Sequence, residues 1–265
     1  MSKATISLKN VWFRYPGVKK FLLKSLTWDK PEPGVVGLLG TNGCGKTTLL
    51  KLIAGILKPI QGTVQINHKA VKGINYTKNI ITFVPENAKL FLIGPTPRKD
   101  LYRIINDQKI VEELFNQYGF KELADKKLYH LSEGQRRLIA YFIAFQLPSN
   151  ILIFDEPTIG LDAKGRQIFS KLLDQAVQQG KISLISSNDP RIFSLLEEII
   201  VIHERTLFLQ GSPKEVLYRL EEETELIPNQ IVRLIRSLEL DLDRKFPHYL
   251  KVEELNNSLD ARRLI

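Results

Sequence analysis

Gly40-Thr41-Asn42-Gly43-Cys44-Gly45-Lys46-Thr47-Thr48 is the stretch of this 265-residue chain whose residue types and spacing point most directly to chemistry. It fits the pattern glycine, four variable residues, then Gly-Lys-[Ser/Thr], with Gly43 as an extra glycine inside. Backbone N–H groups can converge on phosphate oxygens where side chains are absent, which Gly43 and Gly45 provide. Lys46 supplies a point charge for the β- and γ-phosphates of a nucleotide, and the Thr47 hydroxyl is placed to ligate Mg²⁺. A helix starting there aims the positive end of its dipole at the anion. An ordinary glycine-rich turn is the competing reading; the strand–loop–helix context of the motif argues against it. Cys44 reads either as a small side chain within the loop or as a site of oxidation.

A second chemical feature closes an apolar run. Ile151-Leu152-Ile153-Phe154 leads into Asp155-Glu156-Pro157. A carboxylate at the end of a buried strand can hold Mg²⁺ through water, the role expected of Asp155. Its neighbour Glu156 can polarise an attacking water as general base. Acidic pairs before proline are common, and this one gains weight from the phosphate loop upstream.

These groups need elements to hold them. Val35–Leu39 is a short apolar strand, and Lys46–Ile56 reads as a helix stopped by Lys58-Pro59. Residues 4–15 partly alternate, and Gly62–Ile66 and Ile80–Val84 look like further strands. The fully apolar runs Ile151–Phe154 and Ile182–Ser186 suit strands buried on both faces. Ile199–Ile202 and Thr206–Leu209 suggest a late hairpin, and Ala163–Gln178 a helix. From about 88 to 148 the pattern is helical, with breaks at Gly119 and Lys126–His130. Strands alternating with helices predict an α/β fold with a mostly parallel sheet, into which 88–148 is inserted. Residues 212–265 differ: they are helix-rich and charged, with Glu-Glu-Glu-Thr-Glu at 221–225.

Composition sets outer bounds. The chain carries 38 Lys and Arg against 29 Asp and Glu, a net charge of +9. Nucleic acid, an anionic membrane surface, or scattered solvated cations around a polyanion site would each account for it. A single cysteine permits no intrachain disulfide, which fits a reducing compartment. The start MSKATISLKN lacks the apolar core of a secretory signal. The longest nearly apolar run, Leu138–Leu147, has about half the length of a membrane span, so the chain is not expected to cross a bilayer.

Four further stretches fall into order around these two. Tyr15 lies upstream of the loop, Leu131-Ser132-Glu133-Gly134-Gln135 precedes the acidic strand, Gly160-Leu161-Asp162 follows it, and Ser186-Ser187-Asn188-Asp189 ends the next strand. Over residues 5 to about 217 the combination resembles the ATP-binding-cassette (ABC) ATPase family. The resemblance implies a P-loop NTPase fold over 1–211, with an antiparallel β subdomain and a helical subdomain at 88–148, followed by a helical extension over 212–265. It implies ATP and Mg²⁺ at Gly40–Thr48, with Thr47, Asp155 and Glu86 toward the metal. It also implies two cassettes closing head to tail, so that Leu131–Gln135 caps the γ-phosphate bound by the opposite subunit. From the residues alone, Ser132-x-x-Gln135 is equally a capping box opening a helix. Tyr15 would stack on adenine; a buried strand aromatic is the alternative. Asp162 would help couple the two sites.

Three positions depart from the family pattern. Glu133 replaces a glycine, bringing a carboxylate near the partner's triphosphate. Glu86, in Pro85-Glu86, stands where a glutamine is usual. Asn188 stands where the family has a switch histidine; asparagine can donate a hydrogen bond but cannot become a cation. Slow hydrolysis is therefore expected if the chain forms a homodimer, and the three changes together motivate a heterodimer; both assemblies stay open, and neutral substitution of Asn188 and Glu86 in a working site is the alternative.

Trp12-Phe13-Arg14-Tyr15-Pro16-Gly17 and Asn87-Ala88-Lys89-Leu90-Phe91 resemble segments of cobalt-type and energy-coupling-factor importer ATPases, as do the tail segments 227–238 and 250–255. That resemblance implies a subunit on the cytoplasmic face of the membrane. Its partners would be an integral membrane protein seated beside the Glu86 loop and a second cassette, held in part by the tail; the cargo would be a vitamin or metal ion. The alternatives are an exporter ATPase, or a soluble ABC ATPase acting on ribosomes or DNA. The second has the +9 charge as its support, and nucleic acid is not the expected partner.

Overall fold

The structure, a computed structural model, describes residues 4–223. The tail segments at 227–238 and 250–255 lie outside the described residues.

Two sheets divide the β-structure. The chain enters with β1 (Ile6–Phe13), β2 (Leu23–Lys30) and β3 (Gly34–Leu39), then turns through the glycine-rich loop into α1 (Lys46–Ile53). Next come β4 (Gln61–Ile66), the short β5 (Lys69–Ala70), α2 (Ile74–Thr77) and β6 (Ile81–Val84). The helical insertion supplies α3 (Pro97–Ile105), α4 (Gln108–Gln117) and α5 (Glu133–Gln146). The chain returns through β7 (Ile151–Asp155), α6 (Ala163–Gln178), β8 (Ile182–Ser186), β9 (Glu198–His203), β10 (Thr206–Gly211) and α7 (Pro213–Glu223). Strands β2, β1, β4 and β5 form an antiparallel four-stranded sheet. The larger sheet runs β10-β9-β3-β8-β7-β6, parallel except for the β9–β10 hairpin.

Burial explains the apolar runs. Every residue of β3, β7 and β8 is buried, because helices or the second sheet cover both faces. Along β3, Val36 and Leu38 join the core shared with α1 and the antiparallel sheet, while Val35 and Leu39 join the core of the helical insertion, α5 and α6. The second core is aromatic: Phe154 stacks on Phe145 at 5.1 Å and meets Phe169 edge-on at 5.3 Å. Val216, Leu217 and Tyr218 of α7 are buried in it too.

The insertion is three helices: α3 and α4 join directly through Asn106-Asp107, and two 3-10 turns link α4 to α5, with Gly119 in a left-handed conformation (φ 71°) after α4. Helix α1 stops at Ile53, three residues short of the expected end, because Gly55 (φ 73°) turns left-handed just beyond. Strand β2 was not foreseen. Its buried Leu26, Trp28 and Lys30 alternate, but a lysine at a core position hides the period. Lys30 is tolerated because its ammonium lies 3.4 Å from Glu198 of β9, which also accepts from the Trp28 indole N–H at 2.8 Å. This trio ties the two sheets together.

Candidate functional site

The glycine-rich loop is compressed by its surroundings. A Cβ on Gly40 (φ 151°) would come within 2.5 Å of the Ile202 carbonyl oxygen and of Cys44 Sγ. One on Gly45 (φ 115°) would meet Leu23 Cδ2 at 2.6 Å. Neither position has room for a side chain. Gly45 caps α1 without a side-chain hydrogen bond, so the first N–H groups of the helix are left for an acceptor outside the chain. Lys46 is buried; its Nζ donates to the Gly40 carbonyl at 2.8 Å and lies 3.8 Å from Glu156 Oε1. Burial pushes the Cys44 thiol above its ordinary value, against the pull of Lys46. Oxidation follows the thiolate, so packing against Gly40 is the role the surroundings give this cysteine. Thr41 and Asn42 are exposed at the loop's tip, and Thr48 is buried behind it.

The acidic strand end lies directly against the loop. Thr47 Oγ1 donates to Asp155 Oδ1 at 3.0 Å. Asp155 is 4% exposed. Glu156 turns out of β7 with φ 49°, a left-handed conformation that costs a non-glycine residue of order 1–3 kcal/mol and tends to cluster at active sites. Burial raises its carboxyl above the usual range; Lys46 opposes this, and the charges of Asp155 and Glu86 add to it.

A cleft of about 910 Å³ joins these groups. Lys46, Thr47, Glu86, Glu156 and Asn188 line it, with Asn42, Gly43 and Thr48 from the loop and Ile159–Leu161 from the turn before α6. The topology explains the convergence. Strands β6, β7 and β8 are parallel neighbours, so Glu86, the Asp155-Glu156 pair and Asn188 all emerge at their carboxyl ends, where open α/β sheets bind ligands. Tyr15 lies beyond the end of β1, edge-on to Phe13 at 5.0 Å, and is 40% exposed. Its hydroxyl is 3.0 Å from Thr48 Oγ1.

The Leu131–Gln135 stretch is not among the residues lining the cleft. Leu131 is buried, and Ser132 opens α5 with the expected capping box: Gln135 N–H donates to Ser132 Oγ at 3.2 Å, and Ser132 N–H to Gln135 Oε1 at 3.0 Å. Glu133 points into an ion pair with Arg137 at 3.0 Å. A Cβ on Gly134 would lie 3.0 Å from the carbonyl oxygen of Gly160, so this turn backs onto the loop that lines the cleft. Asp162 caps α6, accepting from Gly165 N–H at 2.7 Å.

Sequence reasoning passed over Ser186, whose hydroxyl lies against Asp155, and Arg166, which lines the cleft. Ser186 stood in view as the end of a strand, but its partner depends on the register of β7 against β8, for which the sequence carries no cue.

A family model described as ABC transporter matches residues 23–159. The chain belongs to the ABC transporter ATP-binding family. Members of this family bind ATP, and the chain is the ATP-binding subunit of an ABC transporter, with the ATPase fold of the family. It is 28% identical over 273 residues to the energy-coupling factor transporter ATP-binding protein EcfA1 of Mycoplasma pneumoniae, covering 99% of this chain and 94% of that protein. To the EcfA1 protein of Mycoplasma mobile it is 32% identical over 226 residues, covering 80% of this chain and 81% of that one. Among solved structures, CbiO1 from Clostridium perfringens, described as part of the ABC transporter complex CbiONQ, superposes with a TM-score of 0.72 at 26% identity, covering 92% of this chain and 97% of that one. Among the described residues, no helix is long and apolar enough to cross a membrane.

Proposed function

We propose that this ABC ATPase energises an energy-coupling-factor-type importer for a vitamin or metal ion, working at the cytoplasmic face of the membrane beside a second cassette. The observation that carries the catalytic half is the meeting of Lys46, Thr47 and Glu156 in one cleft, with the buried Asp155 hydrogen-bonded to Thr47. Near full-length similarity to EcfA1 proteins supports the importer half.

Lys46 and the N–H groups of the loop hold the β- and γ-phosphates, and Tyr15 contacts the adenine. Thr47 Oγ1 and Asp155 Oδ1, already 3.0 Å apart, are hard oxygen donors of the kind Mg²⁺ selects, and Glu86 lines the same cleft. Mg²⁺ held by these three residues would neutralise charge developing on the phosphates. Glu156 orients and deprotonates the attacking water; its raised carboxyl suits a base better than an ordinary glutamate would. Asn188, following the strand beside β3, donates to the γ-phosphate. The Ser132–Gln135 turn closes the cleft of the partner cassette, and Asp162 couples the two sites.

Glu86, Glu133 and Asn188 together favour a heterodimer whose partner supplies a standard capping turn and a second, intact site. The 212–265 extension serves assembly. For the membrane partner, a groove of about 510 Å³ beside the Glu86 loop is lined by Leu92, Pro95 and Tyr129, with Leu90 and Ile93 exposed nearby.

The test is a tagged pull-down from solubilised native membranes, with co-purifying proteins identified by mass spectrometry. A polytopic membrane protein together with a second cassette is the expected result. Ribosomal proteins or nucleic acid without a membrane protein would overturn it. A Glu156→Gln chain forming a stable ATP-dependent dimer alone would overturn the heterodimer.

A further inference from the structure

We propose that Ser186 is a positioning residue for ATP hydrolysis: its hydroxyl locks the carboxylate of Asp155 and the backbone of Glu156 into one arrangement. The inference rests on the roles given above to Asp155 and Glu156.

The parallel register of β7 and β8 sets Asp155 directly opposite Ser186. Ser186 is fully buried, so its hydroxyl has no water to bond with. Ser186 Oγ donates to Asp155 Oδ1 at 2.6 Å, the short separation typical of a hydroxyl on a carboxylate. The same Oγ accepts the Glu156 N–H at 2.9 Å, a donor it shares with the Ser186 carbonyl at 3.1 Å. A serine hydroxyl has one proton. An N–H can only donate, so that proton is committed to Asp155.

Three consequences follow. Ser186 and Thr47 both donate to Oδ1, and together they fix the plane of the Asp155 carboxylate. Were Thr47 to turn to a bound Mg²⁺, Ser186 would still hold the Asp155 carboxylate in place. Second, the left-handed backbone that aims Glu156 into the cleft is pinned at its own N–H. Third, the residue holding both groups sits two positions before Asn188. The next residue, Ser187, is itself anchored: its N–H donates to the Leu38 carbonyl at 3.2 Å, and its hydroxyl accepts the Asp189 N–H at 3.0 Å. Metal ligand and base thus share one buried hydroxyl as a reference point, and the switch position follows it two residues along the chain.

The experiment uses the complex purified through this chain, with Ser186→Ala, Ser186→Thr and Glu156→Gln made in it. Four quantities are read: kcat, KM for ATP, Mn²⁺ affinity by electron paramagnetic resonance with a non-hydrolysable ATP analogue, and analogue affinity in EDTA. Ser186→Ala is expected to lower kcat and weaken Mn²⁺ by about 10-fold or more, the usual cost of removing a residue that orients a metal ligand. Binding in EDTA stays within about twofold, because the phosphate loop is untouched. Ser186→Thr keeps the hydroxyl and restores most of both losses.

Unchanged kcat and Mn²⁺ affinity in Ser186→Ala would overturn the inference. So would a threonine variant as impaired as the alanine one. If Ser186→Ala does not fold, Ser186→Cys decides: a thiol is a weak donor, so a folded cysteine variant with wild-type Mn²⁺ affinity sinks the proposal, and a weakened one supports it. In a complex whose second cassette has lost its own base, turnover surviving in Glu156→Gln would mean that the underlying reading of the site has failed. Loss there with no effect in Ser186→Ala would mean that this inference alone has.

Discussion

The carboxylate of Glu133 and the guanidinium of Arg137 lie 3.0 Å apart, one turn apart on α5. Arg137 itself is buried at 5% exposure, while Glu133 is at the surface. The hydrogen bond and charge of Arg137 hold the Glu133 carboxyl below its usual range, with Lys89 and Arg136 adding to the effect. The carboxylate that replaces a glycine in the capping turn is therefore tied back along its own helix, and its charge is largely answered within the chain. Glu133→Gly is accordingly expected to change turnover by less than about fivefold, because the carboxylate is held back on its own helix. Arg137→Met should lower turnover more when Glu133 is present than in the Glu133→Gly background, because it releases the carboxylate. A double-mutant cycle on steady-state ATPase rates checks both. A large gain from Glu133→Gly alone would mean that the carboxylate reaches the partner's phosphate after all.

Tyr15 presents two groups that can be separated. Its ring is the candidate adenine platform, and its hydroxyl is bonded to Thr48 at 3.0 Å in the wall of the loop. Tyr15→Ala removes both and should raise the Kd for ATP several-fold, since one aromatic stack contributes ~0.5–1.5 kcal/mol. Tyr15→Phe keeps the ring and should bind within about twofold of the parent chain if the stack dominates. Equilibrium titration with a fluorescent nucleotide distinguishes them. If phenylalanine is as weak as alanine, the role of Tyr15 lies in bracing Thr48 instead.

The raised carboxyl of Glu156 sets a pH dependence whose sign is fixed. A base works when deprotonated, so activity falls as pH drops through its pKa. Burial lifts that pKa, so the acid limb of kcat/KM should lie above the ~4.3 of an ordinary glutamate. Glu86 contributes to the lift through its charge. Glu86→Gln should therefore move the limb to lower pH. Rate profiles of the two proteins across the acid range measure the displacement. A limb that stays put would remove Glu86 from the electrostatics of the base.

The parts of this site that were legible in the sequence are those made by one contiguous segment. The glycine-rich loop, the apolar β7 with its acidic end and the capping box at Ser132 each carry their own cause, and each stands where the residues placed it. What stayed hidden depends on partners far along the chain. Lys30 masks β2 until Glu198 of β9 is seen beside it. Ser186 looks like a strand terminus until the register against β7 brings it to Asp155. The tie between Glu133 and Arg137 was within reach, since the four-residue spacing on a helix was present in the sequence.

Asn188 is the departure whose cost can be measured most directly. It is exposed, two residues beyond β8, and lines the cleft with Lys46 and Glu156. Its amide can donate to a phosphate, but it carries no positive charge as negative charge builds in the transition state. Replacing it by histidine restores a ring nitrogen donor that can also be protonated. The exposed loop has room for the ring, so the fold should tolerate the change. Asn188→His is expected to raise kcat by about 10-fold or more, within the 10²–10³ that one such electrostatic contact supplies, with little change in KM. The gain should also be pH-dependent, growing as pH falls toward ~6.5, where histidine becomes a cation, until loss of the Glu156 base takes over. Steady-state rates of the two proteins from pH 6 to 8 provide the check. A histidine variant no faster than the parent would show that the asparagine amide already makes the contact that turnover needs, and that the slow step lies elsewhere in the cycle.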